Sequence, residues 1–214
     1  MNRVFIGYDP RQPVAFQVCA QSVWDAASKP VEIIRLDLRT LPLRRVGLTE
    51  FTYSRFLVPF LCGFEGHALF LDSDILVRGD IAGLFDAAER FPQCDVMMVK
   101  SQLKFEWPSV MMFNCAECGI LTPDYVSSAK LFDYAWVKNP GWIAPEWNHL
   151  VGYDEPNPNA MIVHFTKGIP VWEETRSCEF AGEWRETHMR TNSTVSHGEL
   201  MGRSVHVQRK AVTA

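Results

Sequence analysis

Two aspartates separated by one residue are the clearest chemical signal in this 214-residue sequence. Asp72 and Asp74, with Ser73 between them, directly follow the apolar run ALFL at 68–71. If strand geometry persists to the end of that run, residues two apart project to the same side. Ligands of open α/β sheets bind beyond the carboxyl ends of the strands. The pair therefore predicts a site for a divalent cation such as Mg²⁺ or Mn²⁺.

His164 is a candidate third ligand, because it lies near the end of another apolar run, MIVHF at 161–165. A lone histidine on such a strand is more often a satisfied core residue. Beside an acidic metal pair it becomes a candidate nitrogen ligand, which would favour Mn²⁺ over Mg²⁺. Lys167 and Gly168 follow in a loop whose ammonium and backbone could contact a phosphate.

The start of the chain predicts the elements that position these residues. Residues 3–8 (RVFIGY) predict a strand, Asp9 predicts the N-cap of a helix beginning at Pro10, and residues 31–36 (VEIIRL) predict a second strand. A strand–helix–strand start implies a parallel sheet covered by helices. Further helices are predicted at 53–61, 81–89 and 122–136, and further strands at 68–71, 95–99, 109–113 and 161–165.

The domain prediction follows from the distribution of polar residues. The chain turns polar and irregular after Trp172. We therefore expect one α/β domain over residues 1–175 and an irregular C-terminal tail over residues 176–214.

Composition narrows the class of protein. Apolar residues make up 47% and charged residues 21%, as in folded proteins, and a formal net charge of −4 argues against a nucleic-acid partner. The longest strongly apolar stretch, residues 56–64, contains a proline and a glycine and is too short for a membrane span. The N-terminus does not resemble a signal peptide, and six cysteines without one suggest reduced thiols. We expect a cytoplasmic protein.

Several motifs resemble those of the family 8 glycosyltransferases, retaining enzymes with the GT-A fold and a D-x-D motif. The segments YSRFLVP at 53–59 and LFLDSDILVRGDI at 69–81 resemble their donor-binding stretch. FIGYD at 5–9 resembles their first strand and loop, and SVMMFN at 109–114 resembles the strand that carries Asn-Ser-Gly. HFTKGIPVW at 164–172 resembles their H-x-x-G-x-x-K-P-W. The lysine before Pro-Trp and the asparagine and glycine of Asn-Ser-Gly are absent.

The resemblance implies a single GT-A domain with a mostly parallel mixed sheet flanked by helices. It implies transfer of a sugar from a nucleotide-diphosphate donor, most simply a UDP-hexose, to an acceptor hydroxyl with retention of configuration. The metal would be Mn²⁺ or Mg²⁺, held by Asp72, Asp74 and His164. The residues implied to bind the donor are Tyr8, Asp9, Arg55, Asp72, Ser73, Lys167 and Gly168.

Individual roles also come from the resemblance. Tyr8 and Asp9 would contact the base or ribose, Arg55 the sugar or phosphates, and Lys167 with Gly168 the diphosphate. Asn148, beside Trp147, lies roughly where the family has its D-Q-D element, which this chain lacks. Asn148 is therefore grouped with Asp72 and Asp74 as a catalytic candidate.

Two other functions remain open from the sequence. One is a catalytically silent binder of sugar nucleotides or glycans. The other is a phosphatase of the haloacid dehalogenase type, which also places D-x-D after an apolar strand but near the chain start, with Thr or Val where this chain has Leu76. The acceptor, whether glycan, lipid or protein, is unidentified. We expect the segment around Trp142 and Trp147 to form the acceptor side of the site.

Overall fold

A computed structural model describes residues 1–191 of the protein as nine strands and six α-helices. Residues 192–214, the last part of the predicted tail, lie outside the described residues. The strands are β1 Asn2–Tyr8, β2 Val31–Asp37, β3 His67–Leu71, β4 Ile75–Val77, β5 Val96–Val99, β6 Val110–Asn114, β7 Pro140–Ile143, β8 His149–Leu150 and β9 Ile162–His164. The helices are α1 Pro13–Ala26, α2 Phe51–Ser54, α3 Val58–Leu61, α4 Ala82–Arg90, α5 Pro123–Ser128 and α6 Ala181–Arg190.

A six-stranded sheet in the order β2-β1-β3-β6-β5-β7 forms the centre of the fold. Only β6 runs against the other five strands, because it is antiparallel to both β3 and β5. The predicted α/β class with a mostly parallel mixed sheet is confirmed. The carboxyl ends of β1, β3, β5 and β7 therefore meet at one edge, where ligands of such sheets bind.

Helices cover both faces of this sheet, which explains why its inner strands are continuously apolar. Phe70 on β3 packs on the face covered by α2, α3 and α5. Its neighbours Leu69 and Leu71 pack on the opposite face with α1 and α4. The alternation along β3 follows the two-residue period of a strand.

A second sheet, in the order β4-β9-β8, lies beyond the end of β3. β4 is antiparallel to β9, with Ile75 opposite His164. Because β4 begins one residue after Asp74, the segment 72–74 joins the two sheets. The strands β4, β7 and β8 are two to four residues long, and the sequence analysis did not predict them.

Two local predictions are wrong, the N-cap of α1 and the length of the helix after Thr122, whereas residues 53–61 are helical as predicted except for one 3₁₀ turn. α1 begins at Pro13 with Gln12 at its N-cap position, so Asp9 does not cap it. The helix predicted over 53–61 is α2 and α3 joined by a 3₁₀ turn at Arg55–Leu57. The helix predicted over 122–136 ends at Ser128. A 3₁₀ turn follows at Leu131–Asp133, and Tyr134 after it has the left-handed α backbone conformation.

The prediction of an irregular tail from residue 176 is also wrong over part of its length. α6 spans Ala181–Arg190, and its Trp184 is only 1% exposed among apolar residues of α1 and β4. The helix was missed because it presents few apolar side chains. Within residues 1–191, no helix combines the length and apolar character that crossing a membrane requires.

Replacing Trp184 tests whether α6 belongs to the folded domain. We expect Trp184→Ala to lower the free energy of unfolding by about 3–5 kcal/mol, because it removes a large buried side chain. Met189→Ala is the matched control, since Met189 on the same helix is 75% exposed and should change stability by less than about 0.5 kcal/mol. Urea denaturation measures both. Equal midpoints for Trp184→Ala and the parent protein would contradict the packing.

Candidate functional site

The segment 72–74 is held to both sheets by its backbone. The Asp72 N–H donates to the Ser109 carbonyl at 2.9 Å, which extends the pairing of β3 with β6. The Asp74 carbonyl accepts from the Phe165 N–H at 3.0 Å, just past the end of β9. These two bonds direct the two aspartates toward the end of β9, where His164 lies.

Asp72, Asp74 and His164 form the one cluster of potential metal ligands found within residues 1–191. One ligand atom from each residue lies within 4.8 Å of the others. His164 Nε2 is 3.4 Å from Asp74 Oδ1. Asp72 and His164 are 7% and 2% exposed, so the predicted convergence of the three side chains occurs in a largely buried place.

Arg55 is buried against Asp72 rather than solvated. Its Nη2 lies 3.1 Å from Asp72 Oδ1, and its Nη1 donates to the Pro108 carbonyl at 2.9 Å. The guanidinium carbon is 5.5 Å and 5.1 Å from the ring centres of Phe51 and Phe70. The 3₁₀ turn between α2 and α3 places Arg55 here, where it partly neutralises the acidic pair.

The ionisation of these groups is strongly coupled. Burial raises the pKa of Asp72 to about 7, against the lowering effect of Arg55. Burial also disfavours the charged form of Asp74. The neighbouring His164 has a larger, opposite effect, so the pKa of Asp74 lies below its ordinary value. Burial alone would lower the pKa of His164, yet the charge of Asp74 raises it to about 9. The acidic groups therefore hold the proton of His164, whereas the shift of Asp72 comes mainly from its burial.

A cavity of about 390 Å³ opens beside the cluster. Its charged end is formed by Arg55, Asp72, Asp74 and His164. Much of the remaining wall is apolar or aromatic, with Phe105 and Tyr153 exposed at the surface. The other lining residues are Leu48, Thr49, Phe51, Thr52, Glu106, Phe132 and Thr166.

Glu106 is a site residue that sequence reasoning missed. Its Oε2 accepts from the Ser109 hydroxyl at 3.1 Å and lies 3.7 Å from His164 Nδ1. It stands in a 3₁₀ turn at Lys104–Ser109, which has no helical or strand periodicity. The one available signal was an acidic residue just before a buried strand.

Tyr8 and Asp9 lie at the same edge of the sheet but do not line this cavity. The Tyr8 ring lies 4.7 Å from the guanidinium carbon of Arg35. The Asp9 carboxylate is bound by the Arg11 side chain, with Arg11 Nε 2.8 Å from Asp9 Oδ1. Arg11 also donates its Nη2 hydrogen to the Leu48 carbonyl at 3.0 Å, which links this cluster to a cavity residue.

The other predicted site residues surround the cavity without lining it. Ser73 is buried between the two aspartates. Asn148 is buried, with Nδ2 donating to the Glu106 carbonyl at 3.2 Å. Lys167 Nζ is 4.9 Å from the ring centre of Tyr153, which does line the cavity. Gly168 has a φ of +110°, a conformation that favours glycine.

Comparison with solved structures identifies the fold as that of GT-A glycosyltransferases. WbbM, a bifunctional glycosyltransferase, superposes with a TM-score of 0.67 at 16% identity, covering 89% of this chain and 50% of WbbM. The galactosyltransferase LgtC, solved with donor and acceptor sugar analogs, gives 0.63 at 13% identity over 94% of this chain and all of LgtC. GlyE of Streptococcus pneumoniae TIGR4 gives 0.64 at 14% identity over 99% of this chain and 65% of GlyE. The chain thus spans about half the length of WbbM.

A curated relative shows the family to which the chain belongs. Protein CDI of Arabidopsis thaliana is 33% identical over an alignment 219 positions long, which covers 85% of this chain and 84% of that protein. The chain belongs to the family of protein CDI. No protein-family model matches the sequence.

The pairing of His164 with Asp74 makes a testable prediction for protein freed of metal with a chelator. We expect the imidazole to titrate near pH 9, above the ordinary 6.5, because the acidic cluster holds its proton. Histidine side-chain NMR measures this, and His164→Gln assigns the resonance. A pKa raised on folding contributes stability that is complete below pH 6.5 and is lost as the pH rises through about 9. A midpoint at or below 6.5 would contradict the geometry.

Proposed function

We propose that the protein is a metal-dependent glycosyltransferase of the family 8 type. It transfers a hexose from a nucleotide-diphosphate donor, UDP-hexose being the simplest, to an acceptor hydroxyl with retention of configuration, in the cytoplasm. The observation that carries the proposal is the convergence of Asp72, Asp74 and His164 beside a cavity at the carboxyl end of β3. The glycosyltransferase fold and the D-x-D resemblance give that cluster its expected role.

The residues fit a divalent cation. Asp72 Oδ1 and Asp74 Oδ1 are buried and accept no well-aligned hydrogen bond from residues 1–191. Buried carboxylate oxygens need a compensating cation. Arg55 and the protonated His164 now face these carboxylates and Glu106, and a divalent cation would take the place of the His164 proton. Two carboxylates with one imidazole suit Mn²⁺ better than Mg²⁺. A bound divalent cation would supply charge stabilisation for the diphosphate leaving group.

Other residues bind and orient the donor in this proposal. Arg55 is positioned to contact donor phosphate or sugar, because its guanidinium lines the cavity at Asp72. Lys167 adds an ammonium close to the cavity wall through its contact with Tyr153, where it would stabilise negative charge on the departing diphosphate. Ser73 and Gly168 complete the diphosphate side, and Tyr8 with Asp9 holds the nucleoside. Asp9 would do so from within its ion pair with Arg11.

Asn148 is proposed to act on the face of the sugar opposite the leaving group. Its Nδ2 is fixed by the Glu106 carbonyl, while its Oδ1 is buried and has no hydrogen-bond donor among residues 1–191. A fixed amide oxygen can stabilise positive charge that develops at the anomeric carbon. In this proposal Asn148, which lies behind the cavity wall through its bond to Glu106, takes the catalytic place that D-Q-D occupies in the family that the sequence resembles.

The phosphatase alternative is disfavoured by the surroundings of Asp72. A phosphatase of that class needs one aspartate as a free nucleophile. Both Asp72 oxygens face the Arg55 guanidinium, at 3.1 Å and 3.4 Å. A silent sugar-nucleotide binder would keep the same donor site, and it differs from the enzyme only in turnover.

Donor binding is the direct test of the proposal. We expect UDP-glucose or UDP-galactose with Mn²⁺ to stabilise the protein by about 2.7 kcal/mol at a hundred times the dissociation constant. A chelator or Asp74→Asn should abolish the shift, because each removes the metal contact. Asp86→Asn is the matched control, since Asp86 is an exposed partner of Lys29 away from the cluster. An undiminished shift in Asp74→Asn would overturn the assignment.

Turnover then separates the enzyme from the silent binder. We expect slow release of UDP from the bound donor when water replaces the acceptor, and Asn148→Ala should reduce that rate more than it weakens donor binding. Chromatographic detection of UDP measures it. Donor binding without any UDP release, with or without acceptors, would support the silent binder instead.

A further inference from the structure

An aromatic cluster with two lysines occupies the same edge of the sheet as Asp72. Lys100 directly follows β5, and Trp142 lies on β7, opposite Met98 of β5. Because β3, β5 and β7 are parallel, Lys100 and Trp142 are at the edge to which Asp72 projects. We call Lys100, Lys104, Trp107, Tyr134 and Trp142 the Trp–Lys platform.

The 3₁₀ turn at Lys104–Ser109 connects the platform to the cavity. Phe105 and Glu106 in this turn line the cavity, whereas the next residue, Trp107, belongs to the platform. A second link is Tyr134, which lies two residues after the cavity residue Phe132. A ligand on the platform could therefore extend a hydroxyl into the proposed catalytic cavity.

The rings of the platform are fixed by contacts with one another and with the backbone. The ring centre of Trp107 lies 5.2 Å from that of Trp142, edge to face, and 5.7 Å from that of Tyr134. Trp107 Nε1 donates to the Ser101 carbonyl at 2.9 Å. Trp142 nevertheless remains 44% exposed. A rigid, exposed tryptophan beside a catalytic cavity is typical of a recognition surface rather than of core packing.

The platform is positively charged, although the whole chain carries a formal net charge of −4. Lys100 Nζ lies 5.4 Å from the ring centre of Trp142, and Lys104 Nζ lies 5.4 Å from that of Tyr134. Neither ammonium forms an ion pair with a carboxylate of residues 1–191. Two unneutralised ammonium groups next to apolar rings favour a ligand with an apolar face and a negative charge.

We propose that the Trp–Lys platform binds the acceptor and that the acceptor is an acidic saccharide. A pyranose ring has a flat C–H face that packs on Trp142, and a carboxylate or sulfate on the sugar pairs with Lys100 or Lys104. An acidic peptide offers the charge without that flat face. This inference rests on the proposed transferase function, because only a transferase has an acceptor. The saccharide binding that it predicts requires neither donor nor metal.

Isothermal titration calorimetry with trigalacturonic acid and its fully methyl-esterified form tests the proposal in the presence of EDTA. The two probes share the sugar rings and differ in charge. We expect the acid to bind about tenfold more tightly than the ester, and its affinity to fall as salt is raised. A sulfated neutral-sugar trisaccharide shows whether sulfate replaces carboxylate.

Substitutions in the Trp–Lys platform test whether this surface binds the saccharide. Trp142→Ala should weaken binding of the acid about tenfold, and the double change of Lys100→Gln with Lys104→Gln should remove most of the preference for acid over ester. Trp24→Ala and Lys138→Gln are matched controls, since Trp24 is 56% exposed on α1 and Lys138 is an exposed lysine outside the platform. Both controls should bind as the parent protein does.

Several results would overturn the proposal. They are equal binding of acid and ester, no effect of Trp142→Ala, or no binding of either probe at millimolar concentration. Binding of polyglutamate as tightly as trigalacturonic acid would indicate an acidic peptide partner instead, if that binding is lost in the double lysine variant but not in Trp142→Ala. The stabilisation of the Trp142→Ala variant by UDP-sugar with Mn²⁺ is measured in a separate experiment. It distinguishes failure of the platform from failure of the proposed function.

Discussion

The close approach of a buried and a half-buried aspartate where two sheets join is the constraint on which the rest of this structure depends. The backbone of Asp72 is tied to β6 and that of Asp74 to the end of β9, which holds the two residues close together, although 31% of the Asp74 side chain is exposed. Buried carboxylates that lie this close repel each other unless positive charge compensates them. Arg55 and His164 supply part of that charge from within the fold. In the proposed function, the same arrangement that costs stability would hold a divalent cation.

The edge of the sheet divides into three regions around this cluster. Tyr8 and Asp9 end β1 on one side, with arginines around them. The acidic cluster and its cavity lie at the end of β3. The aromatic and lysine side chains of the Trp–Lys platform follow β5 and occupy β7 on the other side. In the proposed function this order would place a nucleoside, a diphosphate with metal, and an acceptor along one line.

The sequence predicted the parts of the site that belong to regular strands. β3 is a continuous apolar run because both its faces are covered, so the run and the acidic pair after it could be recognised together. His164 could be placed for the same reason. Arg55 was identified only through the family resemblance and Glu106 was missed, because both stand in 3₁₀ turns, where periodicity carries no information, and their burial follows from contacts distant in sequence. Asp9 satisfied the local rule for an N-cap, but Arg11 competes for its carboxylate.

The most direct measurement is anomalous diffraction from crystals of the protein soaked in Mn²⁺ at neutral pH. The account predicts one manganese peak within ligand distance of Asp72, Asp74 and His164, and its loss in Asp74→Asn crystals. Carboxylate oxygens and an imidazole nitrogen should surround the peak at about 2.0–2.2 Å, the range of first-row metal bonds to these ligands. No peak at this cluster, with manganese bound elsewhere or with the two carboxylates facing away from each other, would contradict the central claim.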